Sequence, residues 1–349
     1  MAGLSLIELM VAVALGLLIL AGLVTIFANT SAARSEVERT SRQIENGRYA
    51  VEVLSDDLRL AGFYGGLDLV NSNPGIAAPG SLTDPCLVPA TTDEWMQPLH
   101  FHVQGYAAPN ITTIPDITGT TCNLPSLKPG SDVLVVRRVQ TCARPDPVTG
   151  LPAPPEGCRV PPVPVDGLPY IQVALCSDDL AADGYRLGPN DGVTAFNRRQ
   201  KNCASDLAIL RRYFVNIYFV STTNGVNGTG DPVPTLKRLE FTGAGWTETA
   251  LVEGVEQLNI EYGVDNDNDG LPDLYTRDPG TVAAWTNVMI ARFYALARNI
   301  DRSPGFADTK TYSLGSVTIT SSNYDPGYRR HVYATLVRIV NPAGKKETP

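Results

Sequence analysis

The sequence is short of positive charge. Its 349 residues carry 28 Lys and Arg against 36 Asp and Glu, a formal net charge of −8 with a pI near 5.0, and no stretch gathers basic side chains into a cluster. An extended phosphate-binding surface therefore has no support, and nucleic acid is not an expected partner. Histidine is scarce as well. His100 and His102 fall on one strand face if "LHFHV" is extended, but two ligands with no third nearby make a poor zinc site, and His331 reads as a strand residue. The G-x-S-x-G, H-E-x-x-H and P-loop signatures are missing, and "NGVNGTGD" (224–231) lacks the Lys-Ser/Thr that would turn its glycines into a phosphate cradle. These glycines read as turns, and catalysis is not expected.

Cys86, Cys122, Cys142, Cys158, Cys176 and Cys203 all lie in the middle of the chain, and no pair has the C-x-x-C spacing of a zinc or redox dithiol. They read as disulfides of unspecified pairing, which calls for an oxidising space such as a bacterial periplasm; buried reduced thiols in a cytosolic chain are the competing reading.

Charge is also missing from Leu9 to Phe27, a run about long enough to cross the hydrocarbon of a bilayer as a helix. A cleaved signal peptide competes, with "TSAAR" (30–34) as its cleavage site, but it would need basic residues ahead and a shorter apolar core. The helical pattern continues beyond the apolar run. Val37, Ile44, Val51, Leu54, Leu58 and Ala61 recur at sevens, threes and fours along one face, most charges from Arg34 to Asp56 lie off it, and Gly62 supplies a stop. The expectation is one helix with a transmembrane first half over 4–33 and an amphipathic second half over 34–63.

The amphipathic half needs a surface to lie on. Runs at 131–139, 207–221, 236–241, 255–264, 288–298, 312–320 and 329–340 are rich in β-branched and aromatic residues, several alternate, and Gly/Pro/Asp loops separate them. With no helical patterns between them, they predict an antiparallel sheet and an α+β fold, a long helix packed on a sheet. Residues 64–130 and 141–206, rich in Cys and Pro, read as large irregular insertions held by the disulfides.

One loop carries metal chemistry. In "DNDNDGLPDLYT", Asp265, Asp267 and Asp269 take positions 1, 3 and 5 of a calcium-type loop, Gly270 the turn, Leu271 the backbone-carbonyl position and Asp273 position 9. Position 12 is Thr276 instead of a bidentate Glu, with Asp278 as a substitute after a small shift. One Ca²⁺ is the expected cofactor; a solvated Asx-rich hairpin turn is the alternative.

The opening "GLSLIELM" resembles the class III signal of type IV pilins and pseudopilins: Gly3 before a cut, an apolar first mature residue Leu4, and Glu8 fifth in the mature chain. The resemblance implies cleavage after Gly3 and N-methylation of Leu4 by a prepilin peptidase. It also implies that Glu8 neutralises the freed amine of a neighbouring subunit; snorkelling of Glu8 to the interface is the bland alternative. Such leaders normally carry basic residues before the glycine, and only Met1 and Ala2 precede it here, so a leader at 1–3 reads as short or truncated.

Three further blocks are similar to the type IV pilus-assembly protein W family: "ENGRYAVEVLSDDLRLAGFYGG" (45–66), "EYGVDNDNDGLPD" (261–273) and "RRHVYATLVRIVN" (329–341). Membership implies a pilin-like fold whose β-rich head over 64–349 faces the periplasm. It implies a minor pilin near the tip of a pilus that helps to initiate assembly. Its partners would be other minor pilins, the major pilin, the inner-membrane assembly platform and a tip adhesin. Pseudopilin J of type II secretion is the nearest alternative, and a membrane-anchored periplasmic binding protein or enzyme a more distant one.

Overall fold

A computed structural model describes residues 5–69, 72, 74–107, 124, 126–142, 158–159 and 164–347. Gly3, Leu4 and Cys122 lie outside the described residues. The chain opens with α1, Leu6–Leu60, one continuous helix of 55 residues. Ser5 caps it, and Gly62, at φ +73, takes the left-handed conformation that ends it cheaply. The face that packs on the head keeps Leu54, Leu58 and Ala61 of the apolar spacing but departs from it toward the membrane half. Gln43, Gly47, Ala50, Leu54 and Leu58 are buried, whereas Val37 and Ile44 are 69% and 39% exposed. Small residues lead this face because the sheet comes close: a Cβ on Gly47 would lie 2.1 Å from the ring of Tyr333.

After a short helix α2 (Thr92–Met96) come strands β1 (Val103–Tyr106), β2 (Val133–Val139), β3 (Cys158–Arg159) and β4 (Pro169–Val173), then helix α3 (Ser177–Ala182) and β5 (Tyr185–Pro189). The long β6 (Leu210–Ser221) leads into β7 (Thr235–Phe241), β8 (Trp246–Glu253) and β9 (Val255–Val264). These are followed by β10 (Leu274–Thr276), α4 (Val282–Thr286), β11 (Val288–Arg298), β12 (Tyr312–Leu314), β13 (Val317–Ile319), β14 (Arg330–Arg338) and the closing helix α5 (Val340–Glu347).

The single expected sheet is two sheets and a hairpin. An eight-stranded sheet has the path β1-β2-β6-β4-β5, with β3 and β7 also on β6 and β8 on β7; the second sheet runs β10-β9-β11-β14, and β12 pairs β13. Every pairing is antiparallel, in keeping with the α+β expectation. The larger sheet is covered on both faces, so its central strands bury successive residues in opposite directions. On β2, Leu134 and Val136 join the core under α1, with Leu54, Leu58, Tyr218, Leu258 and Phe293. Val133, Val135 and Val139 join a second core with Trp95, Tyr213, Ile217 and Phe241.

Three local expectations change. The run at 312–320 folds into the β12–β13 hairpin, because Gly315 at φ +68 turns the chain within it. The run at 329–340 stops at Arg338, and its end enters α5. The segment 141–206 is not wholly irregular: β4 and β5 form a hairpin that extends the large sheet. Cys142 bonds Cys158, Cys176 bonds Cys203, and Cys86 is also disulfide-bonded. The two described bridges close loops with separations of 16 and 27 residues, where the loss of chain entropy in the unfolded state stabilises most simply.

Candidate functional site

The first half of α1 touches nothing. Its large apolar side chains from Leu6 to Phe27 are between 51% and 78% exposed, and this is the one helix among the described residues long and apolar enough to cross a membrane. The helix fits a single-pass anchor. At its start, Ser5 and Glu8 form a reciprocal capping box. The Ser5 N–H donates to Glu8 Oε2 at 2.9 Å, the Ser5 hydroxyl donates to the same oxygen at 3.1 Å, and the Glu8 N–H donates back to Ser5 Oγ at 3.3 Å. The acid thus caps its own helix, a role that S-x-x-E spacing could have signalled.

The second half is locked to the head by polar contacts as well as by the core. Gln43 Nε2 donates to the carbonyls of Ala297 and Arg329 at 2.9 and 3.2 Å, Asn46 Nδ2 to that of Glu253 at 3.0 Å, and Glu36 pairs with Arg329. Deepest is Asp57, which accepts from Asn216 Nδ2 and Tyr218 Oη, each at 2.9 Å, and pairs with Arg138. The carbonyl of Ala61 accepts from Asn341 Nδ2 of α5 at 3.1 Å. The apolar half is therefore joined to the head by one unbroken helix.

The acidic loop joins β9 to β10. Carboxylate oxygens of Asp265, Asp267 and Asp269 lie within 4.8 Å of one another. Asp265 is buried, and its Oδ1 accepts from the Asn268 N–H at 2.6 Å and its Oδ2 from the Gly270 N–H at 3.0 Å. Burial by itself would raise its pKa; the ammonium of Lys346 and the two N–H groups outweigh that and hold it below the ordinary carboxylate range. The Leu271 N–H donates to Asp269 Oδ1 at 2.7 Å. Asp273 is turned back, its Oδ2 accepting from the Asn266 N–H at 2.7 Å, and Asp278 accepts from the Gly280 N–H at 2.9 Å within its own turn. Thr276 belongs to β10, opposite Tyr262.

A cation already sits beside this loop. Lys346 of α5 places Nζ 3.1 Å from Asp265 Oδ2, and 2.9 Å from both Asn268 Oδ1 and Asn287 Oδ1. Local sequence gave no sign of it, since Lys346 is 81 residues from Asp265. The donor set suits a hard cation: Asp267 and Asp269 have no ammonium or guanidinium partner among the described residues, and crowded carboxylates repel without one. The cluster of Cys176, Asp178 and Cys203 is different, because both sulfurs are spent in a disulfide. The histidines do not converge either: His100 bonds the Ile76 carbonyl at 3.1 Å, and buried His102 bonds that of Val288 at 2.6 Å.

No curated protein matches the chain. Among solved structures it is similar to a type IV-like pilin from Thermus thermophilus, at 16% identity and a TM-score of 0.25, over 37% of this chain and 66% of that one. The chain thus spans just under two thirds of that pilin's length, and at such distance the fold rests on this chain's own helix and sheets. Residues 217–341, from the second half of β6 to the start of α5 and including the acidic loop, match the model of the type IV pilus-assembly protein W family. Over this segment, about a third of the chain, the protein is thus similar to the type IV pilus-assembly protein W family, which supports a pilus-related structural protein.

Proposed function

We propose that the chain is a minor pilin of a type IV pilus, stored in the inner membrane with its head in the periplasm and drawn into the fibre near its tip, where it helps to initiate assembly. The observation that carries this reading is the contrast along α1: one half without any cover, the other fused to the head. An uncovered apolar helix can bury itself in lipid or among the helices of neighbouring subunits, and passing from one to the other exposes little apolar surface to water.

Glu8 fits the same reading. An acid at mid-membrane costs about 3 kcal/mol, which favours a charged partner. Its Ser5 contacts supply hydrogen bonds but no positive charge. Cleavage after Gly3 by a prepilin peptidase would free the amine of Leu4, to be methylated and presented to Glu8 of a neighbouring subunit. The partners are the other minor pilins, the major pilin, the assembly platform and a tip adhesin.

The acidic loop is proposed to hold one Ca²⁺ through Asp265, Asp267, Asp269, the Leu271 carbonyl and Asp273. The ion would supply the charge that the clustered carboxylates lack and brace the β9–β10 turn against α5.

N-terminal sequencing of the mature protein from cells tests the assignment: a start at methylated Leu4 is expected. Deleting the gene should abolish surface pili and twitching. Lost exoprotein secretion with normal pili would make the chain pseudopilin J instead, and a metabolic defect with normal pili would make it an anchored binding protein or enzyme.

A further inference from the structure

The second core contains a buried charge without a counter-ion. Arg137 on β2 is 1% exposed. Its Nη1 donates to the Phe101 carbonyl at 2.9 Å and its Nη2 to Gln104 Oε1 at 3.0 Å, while Nε has no partner. Among the described residues no carboxylate lies within ion-pair distance of it. Most other buried charges are answered by a counter-ion: Asp57 by Arg138, Asp132 by Arg277, Arg198 by Asp183, Lys237 by Glu248, Arg330 by Glu256 and Asp308, and Asp265 by Lys346. Arg298 lacks a carboxylate but lies 3.7 Å over the ring of Tyr328. Burying an unpaired guanidinium is expensive, and among the described residues Arg137 has neither a carboxylate nor an aromatic ring stacked on it, so its setting is incomplete.

Arg137 lines a cavity of about 260 Å³ whose wall includes Trp95, Tyr213, Phe241 and Trp246. Phe241 holds the two indoles, with ring centroids 5.7 Å from Trp95 and 5.1 Å from Trp246, and the Trp246 N–H is tied to the Cys86 carbonyl at 2.9 Å. The wall is thus fixed before any ligand arrives. Two acids also border the cavity, but both are engaged with backbone: Asp84 accepts from the Cys86 N–H at 2.9 Å, and Glu94 from the Ala90 and Thr91 N–H groups at 2.7 and 3.1 Å. A cavity of roughly 150 Å³ accepts one benzene ring, so this one has room for a ring and a short acidic arm.

We infer that this cavity binds a small aryl carboxylate, its carboxylate pairing with Arg137 and its ring lying among Trp95, Tyr213, Phe241 and Trp246. The site is on the face of the large sheet opposite α1, so it is independent of the pilin assignment. The guanidinium supplies charge and donors, while the aromatic wall supplies apolar area, a division of roles usual in small-molecule sites.

The test uses the full chain in detergent, followed by tryptophan fluorescence, with phenylacetate as probe and 2-phenylethanol as its uncharged analogue. A Trp285→Phe variant removes the indole of the other core and leaves Trp95 and Trp246 as reporters. Saturable binding of phenylacetate is expected, roughly tenfold tighter than 2-phenylethanol, with the difference lost in Arg137→Gln. If Arg137→Gln fails to fold, the comparison of the two probes decides alone. Absence of saturable phenylacetate binding, equal affinity for the two probes, or a signal that disappears with Trp285 would each overturn the proposal.

Discussion

The hydroxyl of Tyr218 donates to Asp57 across the seam between α1 and the large sheet, 2.9 Å from the carboxylate oxygen, with both residues buried. Burial and the adjacent carboxylate hold the Tyr218 phenol well above its ordinary pKa, so it stays a donor at any working pH. Asp57 also answers Arg138, so truncating it strands a guanidinium and a phenol together. Asp57→Ala should cost roughly 3 kcal/mol or more, and Asp57→Asn distinctly less, in thermal unfolding of the full chain followed by circular dichroism. Equal melting of both variants and the parent would show that the seam does not depend on this carboxylate.

Gly47 sets a second test, in which two effects oppose each other. Ala at a helix interior normally gains about 1 kcal/mol over Gly. Here its methyl would meet the Tyr333 ring at 2.1 Å, and overpacking costs about 1–3 kcal/mol. Gly47→Ala should therefore lower the melting temperature of the head, while Gly22→Ala, whose Cβ meets nothing, should leave it unchanged.

His102 predicts an acid-side loss of stability. A carbonyl only accepts, so its Nε2 carries the proton toward Val288 and the ring is neutral; burial is the main cause that pushes its pKa down from 6.5 to about 4. The unfolded chain takes the proton first as pH falls. Stability from this group is whole above pH 6.5, declines between 6.5 and about 4, and then levels, a span worth about 3 kcal/mol. His102→Gln, which can still donate to the carbonyl, should flatten that part of the pH–stability curve.

Lys346 and Ca²⁺ should oppose each other at the acidic loop. Removing the ammonium beside Asp265 takes away a repelling charge, so Lys346→Met should bind Ca²⁺ roughly tenfold more tightly than the parent chain in calorimetry. Absence of any binding at millimolar Ca²⁺ in both would remove the metal from the account.

Glu8 separates assembly from folding. It lies far along α1 from the first buried position, Gln43, so Glu8→Ala should leave the melting of the head unchanged. Incorporation into pili, measured by immunoblotting of sheared fibres, should fall sharply. A variant that assembles normally would place the role of Glu8 in its own capping box with Ser5.

Elements whose signals are local can be read from the chain alone. The apolar run and the spacing after it specified one long helix, β-branched and aromatic runs specified β2 and β11, alternation specified β9, and D-x-D-x-DG specified a tight acidic turn with Gly270 at φ +84. Tertiary structure decided whatever depends on which surfaces meet. Val37 and Ile44 match the helical period yet stay exposed: Val37 precedes Gln43, where the buried face of the helix begins, and Ile44 lies beside the face that Gln43, Gly47 and Ala50 bury. The large sheet separates two of the cores, which no pattern announced, since strands buried on both faces carry apolar residues at successive positions and cannot say what covers each side. Nothing local in the chain marks Asp57, Arg137 or Lys346. Their partners, or the want of one, are fixed by residues tens to more than a hundred positions away, and desolvation, which gives a buried charge its consequence, exists only once those residues have closed over it.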